Sequence, residues 1–255
     1  MLGGTVPALL AHPDWKRPAP VAIWMHGRTV NKELDPGRYL RWIRAGIAVC
    51  AVDLPAHGER AELERQSPSR TLEVLAQMVA EIDQVVESLA DPKWGGAFDL
   101  DRMAIGGMSA GGMAGLRRLC DPHPFVCAAV EATTGNLAAL YHPDAARPWP
   151  VSHPAERVRP LDPMQNLGHW RPIPLLALHS ESDRVVPIAG QHEFIQMLRH
   201  RYAASGADAG MIEFMTWPET GAAEEHSGFG KFSNDAKNAQ TDFLSRHLNP
   251  SPSAS

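Results

Sequence analysis

The segment most informative about chemistry is a serine set between glycines, Gly107-Met108-Ser109-Ala110-Gly111. An apolar run precedes it and a stretch rich in small residues follows it, which predicts a buried strand, one sharp turn and a helix. Side chains two positions before and two after the serine would collide in such a turn, so glycine is needed at both places. The turn would present the Ser109 hydroxyl as a nucleophile. The alternative is a glycine-rich turn with a capping serine.

A serine hydroxyl needs a base to take its proton and a carboxylate to orient that base. In chains with this type of turn the order is serine, acid, histidine. The loop before the last predicted helix contains His226, which is therefore the predicted base. Asp183 follows the apolar run Leu175–Leu178 and is the predicted acid, with Glu181 as a nearby alternative.

Other candidates for the acid and the base fit this order less well. Asp162 lies in an irregular segment. His247 falls inside the last predicted helix, and His192 and His200 lie on a helix that precedes the last predicted strand. We expect these three histidines to be solvated surface residues.

Acyl transfer also needs donors for the negative oxygen of the tetrahedral intermediate. The backbone N–H of Ala110 is one predicted donor, because that residue follows the serine. The other should come from the loop after the apolar run Val21–Met25, which continues as His26-Gly27-Arg28. Glycine would let the chain turn so that the Arg28 amide points inward. We expect the His26 ring to brace this loop, and the Arg28 side chain could meet an acidic substrate.

Apolar runs of strand length alternate with amphipathic stretches of helical length along the chain. The clearest helix is Thr71–Leu89, with apolar residues at three- and four-residue steps. The alternation predicts an α/β fold, a mostly parallel central sheet with helices on both faces, whose ligands bind at the carboxyl ends of the strands. The predicted strands are Val21–Met25, Ile47–Val52, Met103–Gly107, Val126–Val130, Leu175–Leu178 and Met211–Trp217, and the other predicted helices are Gly37–Ala45, Gly111–Leu119, Ala189–Ala204 and Phe232–Leu248.

The segment Thr133–Arg171 breaks this pattern with many prolines and weak periodicity. It leaves the predicted sheet after the strand Val126–Val130, at the edge where a ligand would bind, so we expect a small insertion that covers the site as a lid. A surface excursion without a role is the alternative. We predict a single domain over residues 1–248, with the insertion at about 133–171 and a disordered tail at 249–255.

Composition excludes several classes of protein. The chain has 255 residues with a formal net charge of −5, which gives no electrostatic signature for nucleic acid or an anionic membrane. We find no membrane-length apolar run and no secretory signal pattern, and the three cysteines do not suggest a disulfide framework, so we expect a cytoplasmic protein. HExxH and CxxC spacings and nucleotide-binding glycine motifs are missing from the sequence. We therefore expect no metal and no cofactor.

Together these segments resemble the α/β-hydrolase superfamily, in particular its dienelactone-hydrolase-like and prolyl-oligopeptidase-like esterase branch. The resemblance covers about Val21 to Leu248 and rests on WMHGRTVNKE, DLPAHGER, GMSAG, HSESDRVVP and the late histidine. It implies that Ser109 is the nucleophile, Asp183 the orienting acid and His226 the base. It also implies an oxyanion hole formed by the amides of Arg28 and Ala110, and a structural role for His57.

Two departures from this branch matter. The branch usually has His-Gly before the acid, whereas this chain has His179-Ser180. Dienelactone hydrolases use cysteine as the nucleophile, so Ser109 does not imply a cyclic dienelactone substrate.

The sequence therefore predicts a serine esterase that cleaves a small-molecule ester through an acyl-enzyme intermediate. A peptidase or thioesterase with the same three residues, and an inactive binding protein on this fold, remain alternatives. Trp24, Met108 and Trp170 are the candidate pocket residues. The sequence does not indicate an oligomeric state.

Overall fold

The computed structural model describes residues 1–142 and 149–249. Within these ranges the chain forms one sheet of seven strands: β1 (Ala8–Ala11), β2 (Ala19–Met25), β3 (Ala48–Val52), β4 (Phe98–Met108), β5 (Cys127–Glu131), β6 (Leu175–Ser180) and β7 (Ile212–Trp217). Their order across the sheet is β1-β3-β2-β4-β5-β6-β7. β1 pairs antiparallel with β3 and the other neighbouring pairs are parallel, which confirms the predicted mostly parallel sheet.

The same described ranges contain seven α-helices: α1 (Pro36–Arg44), α2 (Thr71–Leu89), α3 (Ala110–Arg118), α4 (Ala138–Tyr141), α5 (Ala155–Val158), α6 (Ile188–Ala204) and α7 (Ser233–Leu248). Side chains of α2, α3 and α6 belong to one apolar core, and those of α1 and α7 belong to another. The sheet separates these two cores, so helices cover both of its faces.

The central strand β2 shows why its sequence is apolar without interruption. Its side chains alternate between the two cores: Val21 and Ile23 pack into the first, and Ala22 and Trp24 into the second. Because a parallel strand inside such a sandwich has no solvent face, both sets of side chains must be apolar. The apolar run ends at Met25, and the polar residues that follow it lie at the carboxyl edge of the sheet.

A buried charge network joins α1, β5 and α7 close to this edge. The Arg38 guanidinium donates to both carboxylate oxygens of Glu131, at 2.9 and 2.8 Å, and also to Gln240. Its face lies over Trp24, with 4.3 Å between the guanidinium carbon and the ring centroid. Asp35 accepts the remaining donors of the same side chain. This fully paired arginine ties the three elements together.

The largest differences between the structure and the sequence prediction are at two strands. We did not predict β1, a half-buried edge strand of four residues that pairs Ala8 with Val52. β4 begins at Phe98 rather than at Met103, because its first residues continue along Ala19 before a register shift.

The insertion after β5 contains α4, α5 and several short 3-10 turns. Asp162 is fully buried within it, and its carboxylate accepts the backbone amides of Leu137 and Ala138 at 3.1 and 3.2 Å. Asp162 therefore holds the start of α4. Residues 143–148 of the insertion lie outside the described residues. So does all of the predicted disordered tail except Asn249, which donates to the Ala45 carbonyl.

The three cysteines are free and buried. Burial raises the pKa of each of these thiols to about 12, so they are protonated at neutral pH. None of the helices within residues 1–142 and 149–249 combines the length and apolar character that crossing a membrane requires.

Candidate active site

Ser109 occupies a strained turn between β4 and α3. Its backbone has φ 50° and ψ −118°, a conformation that residues other than glycine rarely adopt. A Cβ at Gly107 would lie 2.5 Å from the Gly111 carbonyl carbon and 2.6 Å from the Met25 oxygen, and a Cβ at Gly111 would overlap the carbonyls of Met25 and His26. The two glycines therefore avoid each other, as we predicted, and they also avoid the end of β2. This second obstacle could not be read from the spacing.

The structure brings together three residues predicted from separate segments. Ser109 Oγ lies 3.0 Å from His226 Nε2, and His226 Nδ1 lies 2.8 Å from Asp183 Oδ2. The three side chains are buried, with exposed fractions of 8, 9 and 4% for the serine, histidine and aspartate. With the Nδ1 proton donated to the carboxylate, the Nε2 lone pair faces the hydroxyl and can accept its proton.

Asp183 is held in the ionised state by its surroundings. Its Oδ1 accepts the backbone amides of Val185 and Val186, both at 2.8 Å. Burial opposes the charge, but hydrogen bonds from His179 and His226 outweigh it, so the pKa of Asp183 is lowered from its ordinary value. The carboxylate is therefore charged at neutral pH and fixed in orientation by the turn that carries it.

Glu225 is a structural part of the site that sequence reasoning missed. Its carboxylate accepts the Ser180 hydroxyl at 2.9 Å and also the amides and hydroxyl of Thr220 and Gly221 at 2.6–2.8 Å. These bonds, chiefly the one from the Thr220 amide, lower the pKa of Glu225 to about 2. The bond between Ser180 and Glu225 joins the loop of the acid to the loop of His226. The one sequence feature that pointed to this contact was Ser180, which stands where the esterase branch usually has glycine.

The alternative acids and bases lie elsewhere. Glu181 accepts the Thr216 hydroxyl at 2.7 Å on the surface, and Asp162 is occupied at the start of α4. His247 lies on α7 against the ring of Phe243. Among the described residues, none of these three side chains makes a hydrogen bond to the group formed by Ser109, His226 and Asp183.

The two predicted oxyanion donors border the cavity in front of the serine. Both Arg28 and Ala110 line it, and neither backbone amide donates a hydrogen bond to another described residue. Ala110 is the first residue of α3, whose leading amides have no partner within the helix. A Cβ at Gly27 would lie 3.4 Å from Ser109 Cβ, so the loop runs close to the serine. Both amides therefore lack a hydrogen-bond acceptor within the described part of the chain.

The two histidines of the adjoining loops stabilise the backbone. His26 Nε2 accepts the Leu54 amide at 3.0 Å, and its Nδ1 donates to the Gly27 carbonyl at 2.5 Å. His57 is buried and its Nδ1 lies 2.8 Å from the Pro55 carbonyl. Desolvation lowers the pKa of His57, so its ring is neutral at pH 7. These contacts agree with the bracing role expected for His26.

The cavity in front of Ser109 measures about 330 Å³ and is lined partly by the insertion, through Tyr141 and Trp149. Met108 lines this cavity and also a neighbouring one of about 230 Å³, which Trp24 borders. Trp170 differs from the prediction. It is buried in the core, where its ring nitrogen donates to the Tyr202 hydroxyl at 3.1 Å, and it borders neither of these cavities.

A larger cavity of about 670 Å³ lies between the insertion and the start of α6 and shares Val186 with the cavity of Ser109. It contains none of the three hydrogen-bonded residues. In the described part of the chain, no group of three or more histidine, cysteine, aspartate and glutamate side chains is arranged to hold a metal ion.

Solved structures with the same fold include esterases and peptidases. TT1662 from Thermus thermophilus is 20% identical with a TM-score of 0.73, and the alignment covers 98% of this chain and 96% of that one. Esterase 2 from Thermogutta terrifontis is 15% identical with a TM-score of 0.66, covering 96% and 92%. The acylaminoacyl peptidase from Pyrococcus horikoshii is 18% identical with a TM-score of 0.70; 98% of this chain aligns with 41% of that longer one. At these identities the likeness shows the α/β-hydrolase fold.

A search of curated proteins gives no significant match. The model of the prolyl oligopeptidase family matches residues 44–251, which is most of the chain. The matched range includes Ser109, Asp183 and His226 but not the loop of Arg28. The chain therefore belongs to the prolyl oligopeptidase family, and this membership indicates a serine hydrolase.

Proposed function

We propose that this protein hydrolyses carboxylic esters of small molecules through an acyl-serine intermediate. Ser109 is the nucleophile, His226 the base and Asp183 the acid that orients it. The observation that carries the proposal is the pair of hydrogen bonds, 3.0 Å from serine to histidine and 2.8 Å from histidine to aspartate. Membership of the prolyl oligopeptidase family supports the same chemistry.

In the first half-reaction, Ser109 Oγ attacks the ester carbonyl carbon while its proton moves to His226 Nε2. The ionised Asp183 stabilises the imidazolium that forms. The carbonyl oxygen becomes an oxyanion, and the amides of Arg28 and Ala110 donate to it. When the carbon–oxygen bond to the alcohol breaks, His226 returns the proton to the departing oxygen, which leaves an acyl-serine and a free alcohol.

In the second half-reaction, water takes the place of the alcohol. His226 Nε2 accepts a proton from the water as its oxygen attacks the acyl carbon. The second tetrahedral intermediate collapses, Ser109 regains its proton from His226, and the carboxylic acid departs. Apart from the substrate and this water, the chain's own side chains and backbone amides supply the groups used in both steps.

The size of the cavity favours small substrates. Its volume of about 330 Å³ is at the lower end of ligand pockets, and the aromatic rings of Tyr141 and Trp149 close one side. A short acyl group fits this space better than an extended chain.

A peptidase is the second candidate, because the family match is to the prolyl oligopeptidase family. The same three residues would cleave an amide or a thioester by the same steps. A panel of p-nitrophenyl esters, thioesters and aminoacyl p-nitroanilides separates these activities. Because an activated ester reacts faster than an anilide with any serine nucleophile, the ester proposal requires turnover of the esters and no measurable turnover of the anilides at matched acyl groups.

The decisive test is Ser109→Ala, with Ser182→Ala as the matched control. Ser182 lies on the surface and donates to the Pro218 carbonyl, away from the cavity. We expect Ser109→Ala to abolish turnover of p-nitrophenyl acetate and labelling by a fluorophosphonate, while the control retains both. Undiminished turnover in Ser109→Ala would contradict the proposal. A folded wild-type protein that neither turns over the panel nor takes the label would instead favour an inactive binding protein.

A further inference from the structure

The side chain of Arg28 forms part of the cavity wall beside Ser109. Its guanidinium carbon lies 5.2 Å from the ring centroid of Trp149, and its Nη2 donates to the Gln66 carbonyl. The indole of Trp149 is held in turn by a hydrogen bond of 3.2 Å to the Pro68 carbonyl. These contacts fix a cationic group at the cavity, partly out of solvent.

This positive charge has no anionic partner within the part of the chain that the structure describes. Among residues 1–142 and 149–249, no carboxylate oxygen lies within 4.0 Å of the Arg28 guanidinium, and its Nε is buried without a hydrogen bond. Desolvation lowers the pKa of Arg28, as expected where no anion balances the loss of water. The other arginines of low exposure near this edge are paired: Arg38 with Glu131 at 2.8 Å and Arg60 with Glu81 at 2.7 Å.

The remaining lining of the cavity does not neutralise Arg28. Among the described residues that line it, the one carboxylate, on Glu224, is largely exposed and pairs with Arg184 at 3.1 Å. Most of the other side chains are apolar, among them Met113 and Val186. An unpaired cation at the wall of an apolar cavity, close to a nucleophilic serine, is suited to bind an anionic group of a ligand.

We infer that Arg28 binds a carboxylate on the acyl part of the substrate, so that the preferred substrates are half-esters of short dicarboxylic acids. This inference rests on the proposed function and deepens it. The guanidinium matches a carboxylate in shape and charge, and the apolar lining suits the methylene chain between the carboxylate and the ester carbonyl. Because the amide proposed for the oxyanion and the guanidinium belong to one residue, a short acyl chain can reach both.

The first test compares two esters of equal chain length, mono-p-nitrophenyl glutarate and p-nitrophenyl valerate. The quantity measured is the ratio of their kcat/KM values, because a disturbance of the Arg28 amide affects both esters and cancels. We expect the wild type to prefer the glutarate ester. Arg28→Gln should lower the ratio at least tenfold, and Arg28→Lys, which keeps the charge without the planar fork, should give an intermediate value.

The matched control is Arg184→Gln, which removes the same charge at the rim of the cavity, where Glu224 pairs with it. We expect this variant to keep the wild-type ratio within about twofold, because an exposed charge is screened by solvent. If the ratio fell equally in Arg184→Gln and Arg28→Gln, the inference would be overturned, because the preference would then come from the overall positive potential around the cavity. A ratio unchanged by Arg28→Gln would overturn it as well.

A second test measures binding without turnover. Calorimetry with monomethyl glutarate compares Ser109→Ala with the double variant Ser109→Ala/Arg28→Gln, after thermal unfolding has shown that both are folded. We expect at least tenfold weaker binding in the double variant. If the wild type cleaves neither ester, the proposed function fails, but this measurement still decides the inference: binding that depends on Arg28 supports it, and equal binding in the two variants refutes it.

Discussion

Replacing Asp183 by asparagine tests the proposed role of the acid at a single atom. The amide carbonyl of Asp183→Asn can keep both bonds that Oδ1 accepts from Val185 and Val186. Its NH2 group then faces His226 Nδ1 in place of a carboxylate oxygen. A donor at this position requires an unprotonated Nδ1, which moves the ring proton to Nε2, the atom that faces Ser109. The histidine can then no longer accept the serine proton.

The magnitude follows from which way the amide turns. Turning it over would restore the histidine tautomer but would forfeit two backbone hydrogen bonds, each worth about 1 kcal/mol or more in a buried site. The unturned amide is therefore preferred, and the base is held in the wrong tautomer. We expect kcat to fall by about 10⁴-fold, or about 5.5 kcal/mol of activation free energy. KM should change little, because Asp183 does not line the cavity.

Steady-state kinetics with p-nitrophenyl acetate measures this fall, with circular dichroism as the check on folding. Glu181→Gln is the matched control, since Glu181 is the alternative acid in the same loop and its carboxylate accepts the surface hydroxyl of Thr216. We expect this control to stay within about twofold of the wild type. Near-normal kcat in Asp183→Asn, or a collapse of kcat in Glu181→Gln, would refute the assignment of the acid.

Three further outcomes are expected. Gly111→Ala should destabilise the fold by about 3 kcal/mol in urea unfolding, because its Cβ overlaps backbone carbonyls. Gly115→Ala should not, because its Cβ meets only the side chains of Met25 and Ile105, at 3.4–4.0 Å. Ser180→Ala and Glu225→Ala should lower kcat for p-nitrophenyl acetate roughly tenfold to a hundredfold, because the acid and base loops lose their link; unchanged kcat would assign these residues to folding alone. The lowered pKa of Asp183 should contribute stability above its ordinary value of 3.8 that is lost as pH falls through the lower folded value. The gap in unfolding free energy between wild type and Asp183→Asn should therefore narrow from pH 6 to pH 3, and a constant gap would contradict this.

Local patterns in the sequence were sufficient where one element carries its own signal. α2 was predicted at its observed bounds, Thr71–Leu89, because its apolar residues recur at helical steps along one face. The turn at Ser109 was predicted because side chains in place of its two glycines would collide, and both glycines lie within five residues of sequence. The order serine, acid, histidine along the chain then predicted Asp183 and His226. In the structure these two side chains lie within hydrogen-bonding distance of each other.

Features that depend on distant partners gave no such signal. β1 has four half-buried residues without alternation, and it is a strand only because the edge of β3 lies beside it. In the sequence, nothing distinguishes Glu225 from other glutamates in loops. Its role depends on the hydrogen bonds that Ser180 and Thr220 donate to its carboxylate in the folded chain. We named Trp170 as a candidate pocket residue, but its ring lies in the core, where its nitrogen donates to the hydroxyl of Tyr202.

The unpaired state of Arg28 belongs to the same class of property. A sequence can show a basic residue beside a strand, but it cannot show which carboxylates lie near that residue after folding. The positions of the described acidic side chains around the cavity distinguish Arg28 from the paired Arg38 and Arg60.

The cavity is built from separate parts of the chain. Ser109, Asp183 and His226 follow β4, β6 and β7, whereas the aromatic wall of Tyr141 and Trp149 comes from the insertion between β5 and β6. Replacing the aromatic wall leaves the hydrogen-bonded trio on its own supports. Libraries of variants at position 141 are therefore a practical route to retargeting the protein toward bulkier acyl groups while its proposed reaction chemistry is retained. Trp149 stays unchanged, because its ring contacts Arg28.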